Sequence, residues 1–327
     1  FEIERPEDLT PRSPLLPVGS GKGGVGKTLF SANLALQLGR TGKRILLVDL
    51  DLGGSNLHTA LGIPNRHSGM GDFLRSGNDS LEPYIQTTPY PGVFLIPGDQ
   101  LYPDTASFSN NHKSRIFSAL AKVEFDGVIL DLGAGSHSLA VDAFLMSHQG
   151  ILLTTPGHGA VQNAFAFVKT AVYRLMVRFF EGPEYYSILE KVFRRDEKGK
   201  APAFWEILQE LSSKDELRAV AFRERLERFK PFMFLNRVSS SADLSFLRDL
   251  IQNIYQKTAV DPRILGYFPD EKALGESTVK RLPFLLQCPD SKSSKLLPEL
   301  ADRLLARLPD ARPALEITLQ DLERAIA

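Results

Sequence analysis

The stretch Gly21-Lys22-Gly23-Gly24-Val25-Gly26-Lys27-Thr28 constrains this chain more than any other part of it. It follows the apolar run Leu15 to Val18 and precedes an amphipathic segment from Lys27 to Gly39, so the G-x-x-x-x-G-K-[ST] pattern stands in a strand, loop, helix setting. Each part has a physical reason. Glycines permit positive φ and let backbone N–H groups turn toward phosphate oxygens. The helix beginning at the loop adds the positive end of its dipole. In such a loop Lys27 reaches the β- and γ-phosphates and the Thr28 hydroxyl ligates Mg²⁺. The expected phosphate cradle is therefore Gly21, Gly23, Gly24, Val25, Gly26, Lys27 and Thr28, with Leu29 in the first helical turn.

From Leu15 onward, short apolar runs alternate with helical stretches: Arg44 to Asp49, Gly92 to Pro97, Gly127 to Asp131, Gly150 to Thr154, Pro231 to Leu235 and Arg263 to Tyr267. Runs of this kind are buried strands joined by crossover helices, which predicts an α/β fold: a doubly wound, mostly parallel sheet with helices on both faces. Residues 1–14, with three prolines, read as an extended lead-in. The sheet domain is expected over 15–308, interrupted by an inserted helical subdomain at 173–230 and followed by a C-terminal helix at 309–327. The start Phe1-Glu2-Ile3 has neither an initiator Met nor the order of a signal peptide, and reads as a trimmed or mature start.

Composition excludes several function classes. Lys+Arg and Asp+Glu both total 39, which counts against a surface built for nucleic acid or an anionic membrane, so no sequence-specific nucleic acid partner is expected. The single Cys288 excludes an internal disulfide framework and any Cys-rich zinc or iron–sulfur site held by this chain alone, and it suits the cytoplasm. No apolar run reaches bilayer length.

Three further segments carry chemistry. In Val48-Asp49-Leu50-Asp51-Leu52-Gly53, two carboxylates two residues apart point to one side of an extended chain, at the strand end where such sheets collect ligands. In Val128-Ile129-Leu130-Asp131-Leu132-Gly133-Ala134-Gly135, an acidic strand end runs into a glycine turn. Asn236-Arg237 closes another apolar run, and Gly266-Tyr267-Phe268-Pro269-Asp270 closes the last.

Read together, Lys22 to Thr28 gives K-G-G-x-G-K-T, which resembles the deviant Walker A motif of the MinD/ParA family of P-loop ATPases, closest to its MinD/FlhG branch. The resemblance implies ATP and Mg²⁺ as cofactors and a homodimer in the ATP state. It gives Lys22 the role of crossing to the γ-phosphate of the second subunit, and Asp51 that of orienting the attacking water. It places Asp49 in the metal shell and has Asp131 hold Mg²⁺ through water. It sets the Asn236 amide on the adenine edge, lays Arg237 along the base, and closes the segment around Pro269 and Asp270 over it. A helix N-cap is the alternative reading of Asp51, and ordinary strand-end polar residues that of Asn236 and Arg237.

The family resemblance further implies slow, partner-stimulated hydrolysis that positions a flagellum, pilus, septum or other cargo. The alternative is a nucleotide-dependent interaction module with vestigial hydrolysis. Departures are Leu29, where relatives carry Thr or Ser, the 173–230 insertion, and the last helix. The insertion's aromatics, Phe179, Phe180, Tyr185, Tyr186, Phe193, Phe204 and Trp205, form either a small core or a docking face for a protein effector. The last helix has an apolar face of Leu315, Leu319, Leu322 and Ile326 but carries Glu316, Asp321 and Glu323 against Arg324, so packing on protein is favoured over peripheral contact with the inner face of the membrane. His58, His137 and His158 fall near the expected switch or phosphate face, with structural or solvated roles expected.

Overall fold

Eight strands form one sheet in the computed structural model, which describes residues 8–65, 68–98, 109–192, 202–306 and 318–326. They are β1 (Leu15–Gly19), β2 (Ile45–Leu50), β3 (Gln86–Thr87), β4 (Val93–Ile96), β5 (Gly127–Leu132), β6 (Ile151–Thr154), β7 (Phe232–Val238) and β8 (Arg263–Pro269). Their order is β3-β4-β2-β5-β1-β6-β7-β8, and every pair is parallel except β3 with β4. All seven expected apolar runs are strands. The short antiparallel β3 has no apolar run to announce it.

Alternate residues of each strand enter opposite cores. On β2, Ile45 and Leu47 join Ile129 of β5 beneath the helices Lys27–Arg40 and Lys292–Leu305, whereas Leu46, Val48 and Leu50 join Val128, Leu130 and Leu132 on the other face. That alternation places Asp49 and Asp131, two residues beyond Leu47 and Ile129, on the side of helix Lys27–Arg40. Chain order reverses around β1, so the crevice at its carboxyl end opens beside that helix.

The helix His158–Phe179 is continuous, so the boundary expected at 173 falls inside it. Beyond it come the helices Phe204–Lys214 and Glu216–Arg228. Phe180, Tyr185, Phe204 and Phe222 are buried, with the rings of Phe180 and Phe222 5.6 Å apart, whereas Tyr186 is 64% and Trp205 49% exposed. Of the seven aromatics named from the sequence, Phe180, Tyr185 and Phe204 are core, Phe179 is partly buried against it, and Phe193 lies outside the described residues. Helix Leu319–Ile326 packs against the helix Leu244–Thr258 and β8: Leu322 is buried, Arg248 pairs with Glu323 at 2.7 Å, and the Tyr267 hydroxyl donates to Ala325 O. Leu315 and Glu316 lie outside the described residues. Among the described residues, no helix is long and apolar enough to cross a membrane.

Candidate functional site

The loop after β1 is held from within. Ser20 is buried; its hydroxyl donates to Lys22 O at 2.7 Å and accepts from Lys27 Nζ at 3.0 Å. Gly26 caps helix Lys27–Arg40 at φ 98°, a conformation open to glycine, and a Cβ there would lie 2.5 Å from Asn236 Nδ2. That amide donates to Val25 O at 2.7 Å, tying the end of β7 to the loop. Gly21 serves closeness instead: a Cβ would stand 2.0 Å from the Asn163 carbonyl oxygen of helix His158–Phe179.

Two buried carboxylates lie behind the loop. Asp49 is the register partner of Asp131 across β2 and β5. Asp131 accepts from Ser31 Oγ at 3.0 Å and is hydrogen-bonded by Thr28. Burial first, and then the Asp49 charge, push Asp131 up to about 7, against the pull of Thr28, Lys27 and Ser31. Burial also pushes Asp49 up to about 6, against its hydrogen bonds. Burial lowers the pKa of Lys27, while Asp131 and Asp51 favour its charged form. Asp49, expected in the metal shell, is buried and hydrogen-bonded within the loop that follows its strand. Its oxygens accept from Asp51 N at 3.0 Å, Ser55 Oγ at 2.8 Å and Leu57 N at 3.1 Å, so it clamps the loop that carries Asp51.

A cavity of about 710 Å³ opens over these groups. Gly23, Gly24, Gly26, Lys27, Thr28, Leu29, Asp51, Asn236, Arg237, Pro269 and Asp270, all named from the sequence, line it. Gly21 and Val25 support the loop from behind, and Lys22 is exposed outside the cavity. Arg237 takes φ 61° inside β7, a left-handed value rare for a side-chain-bearing residue, and its side chain emerges at the cavity wall. Sequence reasoning gave no site role to Asn56, Thr59, Glu271 and Thr278, which also line the cavity. It also missed Ser20 and Ser31, ordinary serines whose partners lie across the fold. Of the histidines, His158 stacks edge-on against Phe246, and His58 has a buried Nδ1 without a hydrogen-bond partner. His137 caps the helix Ser138–Phe144 through Nδ1. Among the described residues, no group of three or more His, Cys, Asp or Glu could hold a metal ion.

Known proteins resemble this chain. The profile of the CobQ/CobB/MinD/ParA nucleotide binding domain matches residues 17–284, from β1 through the cavity wall. The chain belongs to the CobQ/CobB/MinD/ParA family. Within it, a septum site-determining protein MinD of Buchnera aphidicola is 33% identical over 153 residues, which cover 46% of this chain and 56% of that protein. The chain thus spans little more than half the length of this relative. Among solved structures, MinD of Pyrococcus horikoshii complexed with Mg-ADP superposes with a TM-score of 0.54 at 21% identity, covering 89% of this chain and 96% of that one. The MinC:MinD cell division complex of Aquifex aeolicus gives 0.59 at 17% identity, covering 93% and 98%. At these identities the likeness is one of fold, and it is the P-loop fold that the family profile requires.

Proposed function

We propose that this chain is a MinD/ParA-like ATPase acting as an ATP-dependent dimerisation switch, which positions or regulates a cellular structure through protein partners. The observation that carries the reading is the division of labour between two loop lysines. Lys27 is buried against Ser20 beneath the cavity, whereas Lys22 is exposed and lines no part of it. A lysine exposed outside its own cradle is available to a second copy of the chain, where its charge offsets that of the transferred phosphate.

Magnesium and ATP suit the residues present. The cavity is of nucleotide size. Thr28 and Asp131 are already hydrogen-bonded to each other and would hold Mg²⁺, the threonine directly and the aspartate through water. When bound, the metal neutralises charge on the phosphate oxygens. Lys27 binds the same oxygens, and its desolvated ammonium interacts more strongly there than in water. Asp51, at the cavity edge, orients the attacking water. Asn236 holds the loop and, with Arg237, Pro269 and Asp270, frames the base. The helices after Phe180 offer an effector its docking face, with Tyr186 and Trp205 exposed.

A steady-state ATPase assay on wild type and Asp51→Ala tests the reading. Slow, magnesium-dependent turnover that falls at least tenfold in Asp51→Ala is expected. Nucleotide binding without turnover would overturn hydrolysis and leave a nucleotide-dependent interaction module.

A further inference from the structure

His137 stands where the two loops beside the phosphate site meet, and its ring has a nitrogen that the fold does not use. It is the N-cap of helix Ser138–Phe144, at φ −69° and ψ 158°, and its Nδ1 accepts from Ala140 N at 3.4 Å. Caps are normally Ser, Thr, Asp or Asn, whose short side chains end at the cap. An imidazole goes further. With Nδ1 accepting, the neutral ring carries its proton on Nε2, which becomes a donor directed away from the helix.

The direction of that donor can be read from Gly133. An atom at the Cβ position of Gly133 would lie 2.7 Å from His137 Nε2 and 3.4 Å from Asp51 Oδ1. The ring nitrogen and the carboxylate therefore face the same small space over the Gly133 backbone, one from the loop after β5 and the other from the loop after β2. Burial against the loop lowers the pKa of His137, Asp51 raises it and Lys27 lowers it, in that order of size. The outer face of the residue is exposed.

We infer that His137 is a positioning residue for hydrolysis: its Nε2–H shares the space over Gly133 with Asp51, without a hydrogen bond between them in the ligand-free chain, and steers that carboxylate into the orientation from which it holds the attacking water. This rests on the proposed role of Asp51. It also gives Gly133 a reason to be glycine, since a methyl group there would displace the imidazole.

His137→Asn separates positioning from capping, because asparagine is a good N-cap but stops short of Gly133. The expected result is a loss of about tenfold to a hundredfold in kcat, with KM, nucleotide affinity and Tm close to wild type. Gly133→Ala, which keeps the cap and pushes the ring aside, should lose kcat similarly. His137→Gln, whose amide can still bring a donor toward Asp51, should recover part of the rate, and Asp51→Ala should mask the effect of His137→Asn. Long-range ¹H–¹⁵N spectra of the ligand-free protein should show the Nε2-protonated tautomer, with resonances that shift in Asp51→Ala. An unchanged kcat in His137→Asn, beside an active wild type and an impaired Asp51→Ala, would overturn the assignment of His137 alone. An Asp51→Ala variant as active as wild type would instead overturn the role proposed for Asp51.

Discussion

Asp49 on β2 faces Asp131 on β5 in direct parallel register, with both carboxylates buried on the side of helix Lys27–Arg40. One binds the Asp51–Leu57 loop, and the other binds Thr28 and Ser31 of the helix. The pair thus joins the segment that carries Asp51 to the segment that carries the phosphate loop.

This arrangement has a pH signature. The folded pair titrates at about 6 and about 7, above the ordinary value of 3.8, so between pH 4 and 7 the folded chain holds more protons than the unfolded one. The pair's contribution to stability is full below the unfolded value and is lost as pH rises through 6 and 7. Thermal melts of the ligand-free protein should show that decline, and Asp131→Asn should flatten it. Magnesium with nucleotide should restore stability at pH 8, where Asp131 is ionised.

Gly21 and Gly23 stand two residues apart but should respond differently to alanine. A Cβ at Gly21 meets the Asn163 backbone at 2.0 Å, whereas one at Gly23 finds only Ala134 Cβ at 3.7 Å. Gly21→Ala should cost about 1–3 kcal/mol of stability in urea unfolding and weaken nucleotide binding, because the loop must leave helix His158–Phe179. Gly23→Ala should cost less than half as much.

Asp142 gathers cations from two neighbouring helices. Lys113 lies 3.1 Å from its carboxylate, and Arg174 and Arg178 bind it as well, with Asp142 itself almost fully buried. Asp142→Ala leaves those charges facing one another and should destabilise the fold by about 3–5 kcal/mol. Arg174→Ala, at a partly exposed position with two cations remaining, should cost far less. Chemical unfolding of both variants checks the order.

Much of this site was legible in the sequence because its signals are local. The glycine–lysine loop, the i, i+2 spacing of Asp49 and Asp51, and the acidic end of β5 each depend on a few adjacent residues. What escaped depends on strand order and long-range contact. The facing of Asp49 and Asp131 needs β2 beside β5, and the Asn236 bond to Val25 spans 211 residues. The left-handed Arg237 breaks a local preference that sequence reasoning relies on. Spacing reveals that Asp49 and Asp51 share a face but not that Asp51 N, Ser55 Oγ and Leu57 N fold back onto Asp49.

Sedimentation velocity on wild type, Asp51→Ala and Lys22→Ala, each with magnesium and ATP or ADP, tests the switch most directly. Asp51→Ala should sediment as a stable dimer in ATP and a monomer in ADP, wild type should dimerise only while ATP lasts, and Lys22→Ala should stay monomeric throughout. A single monomeric species for Asp51→Ala in ATP, at concentrations where the nucleotide is bound, would contradict the account.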